Sequence, residues 1–136
     1  MTTQLPLRSE VPAELTWDLT LLYENDEAMQ TALKATAKKA EQLAAFKGQL
    51  NSAKQLATVL TLAKEIDEEL EKEYVYAFLR RDSDTTDATA TALFGQAAQT
   101  ATKIETQLAF IDPEILALSD KQVADWQAKE PALAEF

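Results

Sequence analysis

Apolar residues recur every three or four positions along most of the chain, which is the spacing of one face of an α-helix. The first such helix is predicted to begin at Asn25, whose side chain can cap it, and to run to about residue 46, ahead of Gly48. We expect its apolar face to be buried. That face consists of Met29, Leu33, Ala40 and Leu43.

A second and longer helix follows. Ser52 and Gln55 have the spacing of a capping box, and the periodic pattern continues from there to Arg80 and Arg81. Its predicted inward face consists of Leu56, Val59, Leu60, Ala63, Ile66, Leu70, Tyr74 and Ala77.

Two further helices complete the pattern. Asp84 and Asp87 are placed to cap a third long helix, which Pro113 is predicted to end because a proline disfavours helical geometry in the residue before it. A shorter fourth helix is predicted to begin at Ser119 and to stop before Pro131. The apolar face of the third helix is Leu93, Phe94, Ala97, Ala101, Ile104, Leu108 and Ile111.

The first 24 residues differ, because Pro6 and Pro12 prevent a continuous helix. We expect an extended arm over residues 1–24 that crosses the bundle and is pinned by Trp17. Long helices joined by short turns pack as antiparallel neighbours. The predicted fold is therefore all-α: a single domain in which residues 25–136 form an elongated up-and-down bundle of three long helices plus a short fourth.

The amino-acid composition excludes most kinds of catalytic and cofactor-binding site from this chain. Its 136 residues fit one domain and include no cysteine, no histidine and only 2 glycines. Disulfides, Cys/His zinc sites, histidine-assisted nucleophiles and Gly-rich phosphate loops are thereby excluded. A net charge of -10 disfavours nucleic acid and anionic membranes as partners. With no signal peptide or membrane span in the sequence, we expect a cytoplasmic protein.

Carboxylates are numerous, but their pattern indicates no catalytic or metal site. Most carboxylates of a dense acidic run in the second helix are predicted to face water, and an Asp-rich turn after it lacks the glycine and glutamate of a calcium loop. A carboxyl group whose pKa is raised by burial would have to lie on an apolar face, and the predicted faces contain none. The acidic run comprises Glu65, Asp67, Glu68, Glu69, Glu71 and Glu73.

Six consecutive apolar residues, 74–79, cover the whole circumference of the second helix near its end. One side packs in the bundle, and the other is covered by the arm, by a second copy in a homodimer, or by another domain. The chain also ends on apolar residues. The candidate interdomain or self-association interface is therefore Tyr74, Tyr76, Phe78, Leu79, Leu133 and Phe136.

Three segments together resemble the N-terminal region of oligoendopeptidase F, a bacterial zinc peptidase related to the thimet oligopeptidases. The entry segment carries Trp17-Asp18-Leu19 followed by Leu22-Tyr23. The helix end carries Tyr76-Ala77-Phe78-Leu79, followed by Asp84-Thr85 and Asp87. The last segment carries Phe110, Pro113-Glu114-Ile115-Leu116 and Glu130-Pro131.

This resemblance implies an all-helical, non-catalytic N-terminal domain of a longer metallopeptidase that hydrolyses internal bonds of short peptides. The zinc-binding His-Glu-x-x-His helix and the further glutamate ligand of such an enzyme have no counterpart here, because the sequence has no histidine. No catalytic, cofactor-binding or metal-binding residue is carried over. The expected partner is the catalytic domain of the same polypeptide, and the expected role is to wall off the active-site cleft.

Two other classes compete with this interpretation. A freestanding helical bundle could bind a partner helix or self-associate through the same apolar positions. An amphipathic protein lying on a membrane surface is disfavoured by the acidic balance, since such helices usually carry a basic face.

Overall fold

A computed structural model describes residues 4–136, and those residues form helices and turns with no strand. The five α-helices are α1 (Asp26–Ala44), α2 (Ala53–Ser83), α3 (Ala88–Leu108), α4 (Ile111–Leu116) and α5 (Asp120–Lys129). Short 3-10 turns lie at Arg8–Glu10, Ala13–Leu15, Leu19–Leu21 and Pro131–Glu135. The predicted all-α bundle with an N-terminal arm is confirmed.

Four of the five α-helices, all except α4, begin where the sequence supplies a side-chain cap. The Asn25 side chain accepts from the Ala28 backbone N–H at 2.8 Å, and Ser52 accepts from Gln55 N–H at 3.2 Å. Asp87 accepts from two backbone N–H groups at the start of α3, and Ser119 caps α5. These caps satisfy donors that a helix leaves unpaired in its first turn, so four helix starts follow from local chemistry.

The largest helix, α2, is the centre of the fold. It contacts α1, α3, α5, the terminal turn and the last turn of the arm, while α1 and α3 also contact each other. The predicted face of α1 is confirmed, because all four of its apolar residues are buried. Trp126 and Leu133 bury the C-terminal segment against the same core.

Two local predictions are wrong. The third helix ends at Leu108 rather than at Pro113, which lies in the first turn of the six-residue helix α4. A proline is tolerated there because its missing N–H would have had no partner in the first turn of a helix. Trp17 does not pin the arm, since 62% of its surface is exposed. Leu19, Leu22 and Tyr23 pack against the core instead.

The predicted inward side of α2 is confirmed except near the end of the helix, where Tyr74 is the one member of that side that lies outward. Tyr74 is partly exposed, whereas Glu73 and Tyr76 are buried. The reason is tertiary: α1 covers this side of α2, and its Thr36 and Asp26 contact Glu73 and Tyr76 respectively. Apolar spacing alone does not show on which side of a helix a second neighbour will pack.

No helix within residues 4–136 has both the length and the apolarity to cross a bilayer.

Candidate functional site

The structure separates the four candidate interface residues at the end of α2. Tyr76 is 3% exposed and belongs to the core, so its assignment to an exposed interface is wrong. Leu79 is partly buried. Tyr74 and Phe78 are 37% and 39% exposed and lie on the opposite side from Tyr76. Only this outward side is available to a partner.

Tyr74 and Phe78 flank Phe94 of α3, and together with Arg81 they form a surface that we call the aromatic face. The ring of Phe94 lies 5.3 Å from that of Tyr74 and 6.3 Å from that of Phe78, measured between centroids. The guanidinium carbon of Arg81 lies 3.9 Å from the Phe94 centroid, within the range of a cation–π contact. Phe94 is a member of this site that sequence reasoning had assigned to the core.

A groove of about 420 Å³ between α2 and α3 continues the aromatic face along the bundle. Its floor includes Leu70 and Ala101, and three carboxylates stand around it. Burial and the neighbouring charge of Glu105 raise the pKa of Asp67, because the lining contains no lysine or arginine to compensate them. The full lining is Asp67, Leu70, Glu71, Tyr74, Ala98, Ala101, Thr102 and Glu105.

The two candidate interface residues near the C-terminus also differ in exposure. Leu133 is 3% exposed and packs in the core, so it contributes no interface surface, contrary to prediction. Phe136 is 49% exposed and borders a small cavity of about 120 Å³ with Leu56 and Ile115. It lies apart from the aromatic face, since none of the residues lining that cavity belongs to the face.

A charged cluster, which we call the Arg80 clamp, joins the ends of three helices. Arg80 Nε and Nη2 donate to the two carboxylate oxygens of Asp26 at 2.9 and 2.8 Å, and Nη1 donates to Asp87 at 3.1 Å. The Tyr76 hydroxyl donates to Asp26 at 2.7 Å. Arg80 lies in the last turn of α2, whereas Asp26 and Asp87 lie at the starts of α1 and α3. Each charge therefore also has the sign that its helix dipole favours at that end.

The clamp shifts the titration of its members. Although partial burial opposes the shift, hydrogen bonds from Arg80 and Tyr76 lower the pKa of Asp26. Backbone N–H groups, led by that of Ala90, and then Arg80 lower the pKa of Asp87. A carboxyl whose pKa is lowered on folding stabilises the native state above its ordinary pKa, and that stabilisation is lost as pH falls through the acidic range.

We expect Arg80→Met to destabilise the chain by about 2–3 kcal/mol at neutral pH, because it removes charge-assisted hydrogen bonds and leaves two carboxylates without their cation. Urea unfolding followed by circular dichroism measures the change. The neighbouring Arg81→Met is the matched control and should cost less than about 1 kcal/mol, since within residues 4–136 Arg81 pairs only with the adjacent Asp82 and links no two helices by an ion pair. Equal losses in the two variants would contradict a structural role for the clamp.

One carboxylate lies where none was predicted. Glu73 is 1% exposed, and its Oε1 lies 2.7 Å from the Thr36 hydroxyl, while its Oε2 has no hydrogen-bond partner. The same hydroxyl lies 3.2 Å from Glu69 Oε2 and 3.2 Å from the backbone oxygen of Ala32. The expectation that the inward faces contain no acid is therefore wrong.

The donor set does not fit the zinc ion that the family resemblance implies. The sequence has no histidine or cysteine, and residues 4–136 contain no group of three or more potential ligands close enough to hold a metal. Zinc prefers nitrogen and sulfur ligands in a tetrahedral arrangement. We therefore derive no chemical step through a metal on this chain.

No family model matches the chain. It is similar to Oligopeptidase PepF of Bacillus subtilis (strain 168), with 35% identity over 88% of this chain and 18% of that protein. It is also 34% identical to the plasmid Oligoendopeptidase F of Lactococcus lactis subsp. cremoris, over 95% of this chain and 22% of that protein. A crystal structure of a proposed peptidase from Chlamydophila abortus superposes with a TM-score of 0.78 and 28% identity, covering 96% of this chain and 22% of the other.

The helical fold and these similarities define the chain as a segment related to peptidases. More particularly, it belongs to the oligoendopeptidase F family, as its identity of 34–35% to these two relatives over 88–95% of its own length shows. The chain spans about a fifth of the length of the curated relatives it matches.

Proposed function

We propose that the chain is a non-catalytic, N-terminal helical domain of a zinc-dependent cytoplasmic oligoendopeptidase and helps to enclose the cleft where short peptides are hydrolysed. The observation that carries this proposal is the match over 95% of this chain but only 22% of a relative named for that activity. In the proposed enzyme the metal and the general base belong to the remainder of the polypeptide, because this chain has no histidine. There zinc would polarise the scissile carbonyl and activate water.

The aromatic face is the surface we propose for contact with the catalytic domain. Arg81 stacks on Phe94 within this face, and the Arg80 clamp ties the adjacent turn of α2 to α1. Exposed aromatic groups beside an apolar-floored groove are typical of a contact surface. The same exposure supports the alternative class, a freestanding helical module that binds a partner or a second copy.

A chimera tests the proposal. In Oligopeptidase PepF of Bacillus subtilis, the segment that matches this chain is replaced by the chain itself, and zinc-dependent cleavage of a fluorogenic short peptide is measured. We expect the chimera to cleave the peptide. Phe78→Asp within it should reduce cleavage at least tenfold, because a carboxylate would be buried in the proposed contact. Ala35→Asp, the same charge change on the exposed side of α1, should leave the rate within about twofold.

Inactivity of a folded chimera would contradict the proposal, as would equal rates in the two variants. Light scattering of the isolated chain distinguishes the proposed enzyme domain from the alternative, a freestanding helical module. A concentration-dependent dimer that Phe78→Asp dissociates while helicity is retained would support a self-associating module instead.

A further inference from the structure

Protons and acceptors do not balance around Thr36 if both neighbouring glutamates are ionised. A hydroxyl group has one proton to donate and can accept others. The Thr36 hydroxyl oxygen lies within hydrogen-bond distance of oxygens of Glu73, Glu69 and Ala32, at 2.7, 3.2 and 3.2 Å. With two carboxylates, the single hydroxyl proton can satisfy only one of them, and the second carboxylate oxygen of Glu73, Oε2, is buried with no hydrogen-bond partner in either case.

The missing proton belongs on Glu73 rather than on Glu69. The ammonium group of Lys39 contacts Glu69, whose side chain is 39% exposed, so Glu69 has both a cation and water to keep it ionised. Glu73 has neither: it is buried, and among the described residues no lysine or arginine forms an ion pair with it. Burying an unpaired carboxylate is costly, whereas a carboxylic acid can donate to the hydroxyl.

We propose that Glu73 is a neutral carboxylic acid in the folded chain at mildly acidic pH, and that its proton, donated to Thr36 and lost as the pH rises, couples the packing of α1 against α2 to the pH of the solution. Thr36 in turn donates to Glu69 or to the backbone oxygen of Ala32, which completes the hydrogen-bond chain. This inference does not depend on the proposed peptidase function, because it uses contacts within the chain only.

The electrostatics of the cluster agree with this geometry. Burial raises the pKa of Glu73 from its ordinary 4.5 to about 7; the charge of Glu69 also raises it, while Thr36, Lys39 and Lys72 act in the opposite direction. A carboxyl group whose pKa is raised on folding binds its proton more tightly in the native state than in the unfolded state. Stability is therefore highest at low pH within this window and falls as pH rises from about 4.5 to about 7.

The charged and titratable groups that face Glu73 come from three elements. They are Glu69 and Lys72 of α2, Lys39 of α1 and Tyr23 of the arm. Burial, followed by the charges of Glu73 and Glu69, raises the pKa of Tyr23 to about 12. The pKa of Lys39 is raised above 10.5, mainly by its hydrogen bond to Glu69. These two groups therefore titrate well above the window in which Glu73 does.

The absence of histidine makes the effect measurable, because no imidazole titrates near neutrality. Asp67 is the other carboxyl group whose pKa is raised, by burial and by Glu105, so it supplies the matched control. Asp26, Asp84 and Asp87 have lowered pKa values and titrate at more acidic pH.

The test measures urea unfolding of the full chain, of Glu73→Gln and of Asp67→Asn between about pH 5 and about pH 8. A glutamine keeps the shape and an N–H donor but cannot lose a proton in this range. We expect the unfolding equilibrium constant of the unmodified chain to rise by about tenfold or more across the range. The rise should be nearly absent in Glu73→Gln and should persist in Asp67→Asn.

A second measurement does not require any variant to fold. The side-chain carboxyl ¹³C resonance of Glu73 is followed against pH in the unmodified chain. A midpoint near 7 supports the proposal. A midpoint near the ordinary 4.5 would overturn it, as would a pH dependence of unfolding that is unchanged in a folded Glu73→Gln variant.

Discussion

Replacing Tyr76 by Asp is expected to unfold most of the chain at neutral pH. The side chain is 3% exposed, its hydroxyl donates to Asp26, and its ring packs edge-on against Tyr23 at 5.6 Å. The substitution removes a large buried ring and places a carboxylate in the core beside Asp26. Each change costs several kcal/mol, and together they approach the 5–15 kcal/mol of total stability that is usual for a domain.

The measurement is helicity by circular dichroism, with thermal unfolding where a transition remains. Tyr76→Phe is the matched control: it removes only the hydroxyl and should cost about 1–2 kcal/mol while the chain stays folded. Phe78→Asp, two residues along α2, should also stay folded because that side chain is 39% exposed. A folded Tyr76→Asp chain with near-normal stability would mean that this side of α2 faces outward.

Replacing Ile66 by Ala is expected to destabilise the chain by about 2–5 kcal/mol. Ile66 is completely buried and lies near the middle of α2, the helix that contacts every other long helix. Removing three of its carbons loses apolar burial and leaves a cavity that the surrounding helices fill only in part. Urea unfolding followed at a fixed pH gives the difference directly.

Ile66→Val isolates the cavity effect, since it removes a single methyl group and should cost about 0.5–1.5 kcal/mol. Because the two variants differ only in how much of the side chain is deleted, the loss should increase from Val to Ala. A loss below about 0.5 kcal/mol for Ile66→Ala would show that α2 is not packed around this position.

Two adjacent arginines of α2 make contacts on different sides of the helix. Arg80 ties the end of the helix to the starts of α1 and α3, while Arg81 stacks on the aromatic face. The clamp therefore ties together the ends of three helices beside the aromatic face. We expect loss of the clamp to loosen the aromatic face as well as the bundle.

Local chemistry in the sequence determined where most helices begin and which family the chain resembles. Capping at Asn25, Ser52, Asp87 and Ser119 depends on groups within three residues of one another, so no tertiary information is needed to predict it. The apolar face of α1 was equally readable, because its buried residues repeat at helical spacing. Pro113 misled the boundary of α3, since a proline ends one helix or begins another with almost the same local signal.

Only the tertiary structure decided which side of α2 is covered near the end of the helix. Periodicity placed Tyr74 inward, but α1 supplies Thr36 and Asp26 as polar partners for Glu73 and Tyr76, and their side became the covered one. A glutamate can be buried once a hydroxyl stands opposite it, and such a partner, 37 positions away in the sequence, is invisible to a pattern of apolar residues. The sequence by itself determined the starts of four helices and the relationship to oligoendopeptidase F. Long-range packing determined which side chains remain exposed for a partner and which carboxyl group is held in the core.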